Sequence, residues 1–219
     1  MRRAVFPLLL FLFGFVLGLL CLFPIHTVSP KLDAAPLTAS RAGEEPQPAS
    51  EASTSGLLRA AARAAEALKA EDYEPLGELV HPERGVTFTA SSTVDPETDQ
   101  NFTADEIRGL PEDPGQYLWG YEDGRGTPIL LTMEEFVRQY IFSVDYTQAP
   151  EVGVDRVVLS GNALENVAQA YPGCRFVDLC YPERDPDLGG LDWCSLKLVF
   201  APLEGQWRLV GLIHSQWTI

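Results

Sequence analysis

The sequence predicts an α+β domain in which N-terminal helices pack on a curved, mostly antiparallel sheet, preceded by a transmembrane helix and a disordered linker. Three observations carry this reading. A charge-free apolar run opens the chain, and a Pro/Ala/Ser/Glu-rich stretch follows it. Helical periodicity dominates the next part, at 56–80, with shorter helical stretches recurring later. Period-two alternation dominates the last part, above all in 195–214. Helices early and long strands late are the pattern of an α+β layer arrangement.

Residues 1–23 read as a signal anchor. Arg2 and Arg3 precede Ala4 to Phe23, which holds no charge and is long enough to span a bilayer. The two arginines predict a cytoplasmic N-terminus and an exported remainder. The run exceeds a signal-peptide core of about 7–15 residues, and Pro24-Ile25-His26-Thr27-Val28 offers no small-x-small cleavage site. A retained anchor therefore comes ahead of a cleaved signal. A lipoprotein acylated at Cys21 comes last, because Leu20 stands where that motif wants a small residue. Residues 24–55, with five prolines and no aromatic, read as a disordered linker spanning about 30 Å on average. It holds residues 56–219, the extracytoplasmic domain, away from the membrane.

Within that domain Gly56–Lys69 is an alanine-rich helix with Leu57, Leu58, Ala61, Ala65 and Leu68 as its apolar stripe. Asp72 is placed to cap a short second helix with Leu76, Leu79 and Val80 inward. Val86–Ala90 is a strand. Thr103-x-x-Glu106 and Thr132-x-x-Glu135 are capping boxes, the second opening a helix to about Phe142. Between them, 117–121 and 127–131 form strands about a Gly-rich turn. Asn162 is placed to cap a short helix through Ala170, and Cys174–Tyr181 is a strand. In the closing hairpin Leu196, Leu198 and Phe200 share one face, and Trp207, Leu209 and Ile213 another. Ala201–Gly205 is the connection.

Charge and cysteines bound the function. The chain carries 31 acidic against 16 basic side chains, a net charge of −15. That argues against nucleic acid or anionic lipid as partner of the main domain. With 46% hydrophobic residues, roughly 165 residues are enough for a core without staples. Outside the apolar run three cysteines remain, an odd number. Cys180 and Cys194 flank one loop and are a candidate disulfide; three buried thiols are the alternative. No CxxC or histidine pair supports a metal site.

Leu79-Val80-His81-Pro82-x-x-Gly85-Val86-x-Phe88, Trp119-Gly120, Tyr171-Pro172-Gly173, Asp192-Trp193-x-Ser195-Leu196-x-Leu198-Val199-Phe200 and Leu209-Val210-Gly211-x-Ile213-His214-x-x-Trp217-Thr218-Ile219 together resemble a domain of uncharacterised exported proteins and lipoproteins of Gram-positive bacteria. The resemblance covers roughly residues 57–219 and implies no activity. At fold level, helices followed by a bent sheet resemble the NTF2-like (cystatin-like) cone. That cone hosts enzymes and non-enzymatic modules alike.

The sequence holds no HExxH, G-x-S-x-G, P-loop or GxGxxG after a strand, which argues against the commonest catalytic chemistries. Asp95 to Glu106 spaces its oxygens like a calcium loop but has Gln100 where glycine is needed, and 183–192 is a second oxygen-rich loop. Neither makes a convincing metal site, and no cofactor is expected. His214, oriented by Asp192 or Asp145, is a candidate base in a cone-shaped pocket, with Tyr117 and Trp119 beside it as ligand-binding residues. The four tryptophans and several tyrosines suit either stacking on a sugar or peptide or packing in the core. The favoured expectation is a membrane-tethered, non-catalytic binding or interaction module directed at the cell envelope or an extracellular protein. The alternative is a small-ligand receptor or enzyme using that pocket.

Overall fold

The protein is described by a computed structural model covering residues 53–122 and 124–218. The apolar run and most of the linker lie outside the described residues. Among the described residues no helix is long and apolar enough to cross a membrane.

Helix α1 (Thr54–Ala70) starts before the expected Gly56 because Ser53 Oγ accepts the Gly56 N–H at 3.2 Å. It stops where Glu71 turns left-handed at φ 52°. Leu57, Ala61, Ala65 and Leu68 are buried as expected, joined by Ala60 and Ala64, while Leu58 is exposed. Asp72 occupies the cap position of α2 (Tyr73–Leu79), but its side chain makes no capping bond. Strands β1 (Val86–Thr89) and β2 (Gln100–Phe102) follow. Both capping boxes form: Thr103 and Glu106 open α3 (Ala104–Arg108), and Thr132 and Glu135 open α4 (Met133–Phe136). α4 continues as a wider π turn over Val137–Ile141. Between the boxes, β3 (Gln116–Tyr121) and β4 (Pro128–Thr132) make a separate two-stranded sheet. Strand β5 (Glu151–Val154), which no alternation announced, precedes α5 (Val167–Ala170), β6 (Arg175–Tyr181), β7 (Cys194–Leu203) and β8 (Gln206–Gln216).

The main sheet runs β2-β1-β8-β7-β6-β5, antiparallel throughout except for β1 beside β8. The closing hairpin is thus the centre of the sheet. Its connection is shorter than expected: Glu204 (φ 51°) and Gly205 (φ 80°) make a two-residue turn, and the strand continues through Ala201–Leu203. A bulge also overturns the expected alternation in β8. Val199 faces Gly211 while Phe200 faces Leu209, so Val210 is an extra residue that switches the phase of the strand. Leu209 and Leu212 therefore both join the helix-facing core, and Val210 and Ile213 both join the outer one.

The register also corrects the disulfide. Cys180 lies opposite Ser195 and Cys194 opposite Tyr181, so the two thiols point to opposite faces of the sheet. Both are free and buried.

On the helix side, Leu196, Leu198 and Phe200 pack with α1 and α2 in one cluster. On the outer side, Phe176, Val199 and Ile213 pack beneath residues 155–171. The helix expected from Asn162 through Ala170 forms only at its end, as α5, and Asn162 does not cap it. Asn162 instead donates to the Thr218 carbonyl at 3.2 Å, and Asn166 bonds both N–H and C=O of Val94 at 2.8 Å. Tertiary bonds thus replace the intrahelical ones in this strap. Under it, Lys197 is 0% exposed, with Nζ 2.6 Å from Ser215 Oγ and 3.1 Å from Glu165 Oε1.

Candidate functional site

The side chains nearest to chemistry lie along one aromatic row on the helix side of the sheet. Trp119, held by a 3.0 Å bond from Nε1 to the Leu131 carbonyl, stacks flat on Phe136 at 3.9 Å. Phe136 meets Tyr140 at 5.0 Å, and Tyr140 meets the edge of His214 at 5.8 Å. Tyr117 joins the other end, 5.7 Å from Trp119, with its hydroxyl donating to Asp113 at 2.8 Å. The spacing of Trp119 in β3, the capping box that launches α4 and the phase switch in β8 together bring these rings into line.

Three of the four residues singled out from the sequence, Tyr117, Trp119 and His214, thus belong to one row. Asp192 does not join them. Its two carboxylate oxygens accept the N–H groups of Arg184 (3.2 Å) and Asp185 (2.7 Å) and so close the 183–192 loop. Asp145 is equally committed elsewhere, 2.9 Å from Lys69 and bonded to Thr147. Neither of the two expected acids therefore orients His214. It is 1% exposed, its Nδ1 has no hydrogen-bond partner, and burial pushes its pKa down to about 4. An enclosed imidazole without a carboxylate or an open approach does not make a general base.

The depressed pKa has a consequence for stability. The unfolded chain binds a proton at this histidine near its ordinary value of 6.5, and the folded chain only near 4. Between these values the unfolded state holds more protons, so stability falls as pH falls through the window. The expected loss approaches about 3 kcal/mol at pH 4. His81 is shifted in the same direction and Asp99 is raised by burial, so the comparison belongs between wild type and His214→Leu. Urea unfolding at pH 7 and pH 4.5 is expected to show a smaller pH dependence in the variant. Equal pH slopes in the two proteins would refute a buried neutral His214.

Beyond the row lies an open cleft of about 660 Å3. Trp119 and Tyr140 belong to its lining, together with the 90–99 loop, Gly120–Glu122, Arg125, Ile129, Ala163 and residues 216–218. Tyr121 (64% exposed) and Trp217 (38%) offer their rings at its edges. Asp99 accepts the Thr89 hydroxyl at 2.6 Å and the Asp95 N–H at 3.0 Å. Hydroxyls, carboxylates and rings in an open cleft can bind a ligand.

Tyr121 and Tyr140 were not singled out from the sequence. Tyr121 had a legible sign, the aromatic recurrence Tyr117, Trp119, Tyr121 along a strand. Tyr140 fell within the helix expected to run to about Phe142, with no sign of its own. The oxygens of 95–106 do not converge: Asp95 caps Glu97, Asn101 donates to the Arg84 carbonyl, and Thr103 with Glu106 closes the capping box. Among the described residues no group of acidic, histidine or cysteine side chains is placed to hold a metal ion.

No family model matches the chain, and no curated protein does. Among solved structures, it is similar to a protein of unknown function of the DUF3225 family from Pectobacterium atrosepticum. The identity is 12% over 73% of this chain and 88% of that one, with a TM-score of 0.32. It is also similar to a protein from Xanthomonas campestris assigned as a calcium/calmodulin dependent protein kinase II association domain. Here the identity is 10% over 74% and 84% of the two chains, with a TM-score of 0.31.

Proposed function

We propose that the chain is a membrane-tethered, extracytoplasmic binding module of NTF2-like plan that receives its ligand or partner at the open aromatic cleft and does no chemistry there. The charge-free run after Arg2 and Arg3 supports the tether, and the helices laid on a mostly antiparallel sheet support the plan. The observation that carries the non-catalytic reading is the filled interior. The Trp119–Phe136–Tyr140 row occupies the space between helices and sheet and buries His214 behind it. The exposed rings of Tyr121 and Trp217 lie where an envelope component or extracellular protein is accessible to them.

Native mass spectrometry of the full chain, purified in mild detergent from a bacterial host, tests this reading. A co-purifying molecule is expected to stay with wild type and with His214→Phe, and to be lost from the Tyr121→Ala/Trp217→Ala variant. Retention by that double variant, or a chemical change in the bound molecule that His214→Phe stops, would overturn it. Protease added outside intact cells is expected to remove the domain; full protection would reject the proposed topology.

A further inference from the structure

A second cleft, of about 530 Å3, opens between α1, α2 and the hairpin turn of β7 and β8. Its lining carries four guanidinium groups, Arg59, Arg63, Arg108 and Arg208, against one carboxylate, Glu78. In a chain with 31 acids and 16 bases this local reversal of sign runs against the average. From the geometry we infer that this cleft binds an organic phosphate, a phosphomonoester or phosphodiester group held by the arginines. The inference stands independently of the function proposed for the aromatic cleft.

Four features support that ligand chemistry. The cations are all arginines, whose planar forks match tetrahedral oxyanions by paired hydrogen bonds. Three of them are at most loosely committed to protein acids. Among the described residues Arg59 and Arg208 make no ion pair, and Arg63 reaches Glu78 only at 3.5 Å with both side chains mostly in solvent. Arg108 is paired with Asp105 and Glu74, both well exposed, so solvent screens these pairs. Arg208 spends one nitrogen on the Glu78 carbonyl at 2.7 Å, while its buried Nε has no partner. Last, Gly56 in the first turn of α1 lines the cleft, and that turn of a 17-residue helix holds no acidic side chain. The positive end of the helix dipole therefore adds to the arginines there. The cleft exceeds what inorganic phosphate fills, which is why an esterified phosphate is assigned.

The two clefts lie at opposite ends of β8. Gln206–Arg208 belong to the arginine cleft and Gln216 to the aromatic one, roughly 30 Å apart along the strand.

The test uses the full chain in neutral detergent and measures binding by calorimetry. The probes are glycerol 3-phosphate, inorganic phosphate, and dihexanoyl phosphatidylglycerol against dihexanoyl phosphatidylcholine. Glycerol 3-phosphate is expected to bind more tightly than inorganic phosphate. Arg59→Gln and Arg208→Gln are each expected to weaken binding about tenfold. Glu78→Gln, which removes the competing carboxylate, is expected to tighten it, a gain that a misfolded variant would not show. Binding of phosphatidylglycerol alone, lost in Arg59→Gln, identifies a lipid headgroup as the source of the same phosphate chemistry. No binding of any phosphate probe, or binding that neither the arginine variants nor Glu78→Gln alter, overturns the inference.

Discussion

A chain ending at residue 206 is expected not to fold. Strand β8 pairs with β7 along nearly its whole length and with β1 on its other side, so its loss splits the sheet in two. Trp207, Leu209, Val210, Leu212 and Ile213 go with it, all buried. At about 1.5–3 kcal/mol for each large apolar side chain, their loss alone matches the whole stability of a typical domain, about 5–15 kcal/mol. The cost is larger still, because Leu196, Leu198 and Phe200 lose their neighbours on one side. Circular dichroism of the 1–206 fragment is expected to show no cooperative thermal transition. A soluble fragment with a sharp melt would refute the central role of the hairpin.

The second large effect concerns the charge beneath the outer strap. Lys197 stands on a central strand, fully enclosed, and Glu165 is the carboxylate that pairs with it. Asp178 lies directly across from it on β6, but one of its oxygens accepts the Val158 N–H at 2.8 Å. Glu165→Ala is expected to cost about 3 kcal/mol, because the enclosed ammonium loses its ion-paired carboxylate and keeps only Asp178 across the strand, whose Oδ1 has no hydrogen-bond partner. Lys197→Met with Glu165→Leu and Asp178→Asn is expected to recover most of that loss, since taking out all three charges removes the desolvation penalty together with the attraction. Chemical denaturation of wild type, Glu165→Ala and the combined variant measures both effects. A loss below about 1 kcal/mol in Glu165→Ala would show that the pair contributes no more than an exposed salt bridge.

What these effects share is distance along the chain, and that is also what divides the legible from the illegible. The helix at 54–70, both capping boxes, the hairpin and the α+β order were readable, because each rests on residues within a turn or a strand of one another. The candidate site was readable only in part. Tyr117, Trp119 and His214 were named from composition and position and do meet in one row. Asp192 was named with them, yet its carboxylate is spent on its own loop.

Tertiary contacts decided the rest. The phase of β8 depends on a bulge formed against β7, and the parallel pairing of β1 with β8 joins residues far apart in sequence. Whether His214 is a base or a buried neutral ring depended on where Tyr140 would stand. The thiols were assigned to opposite faces by register alone. The arginine cleft is the clearest case: Arg59, Arg108 and Arg208 stand far apart in a strongly acidic chain, and nothing near any of them announces the others. The sequence by itself determined the local elements, the apolar N-terminal run and the absence of the common catalytic motifs. Only packing decided which charges and rings converge, because convergence is a property of strand register and helix placement, and these come from contacts that leave no local pattern.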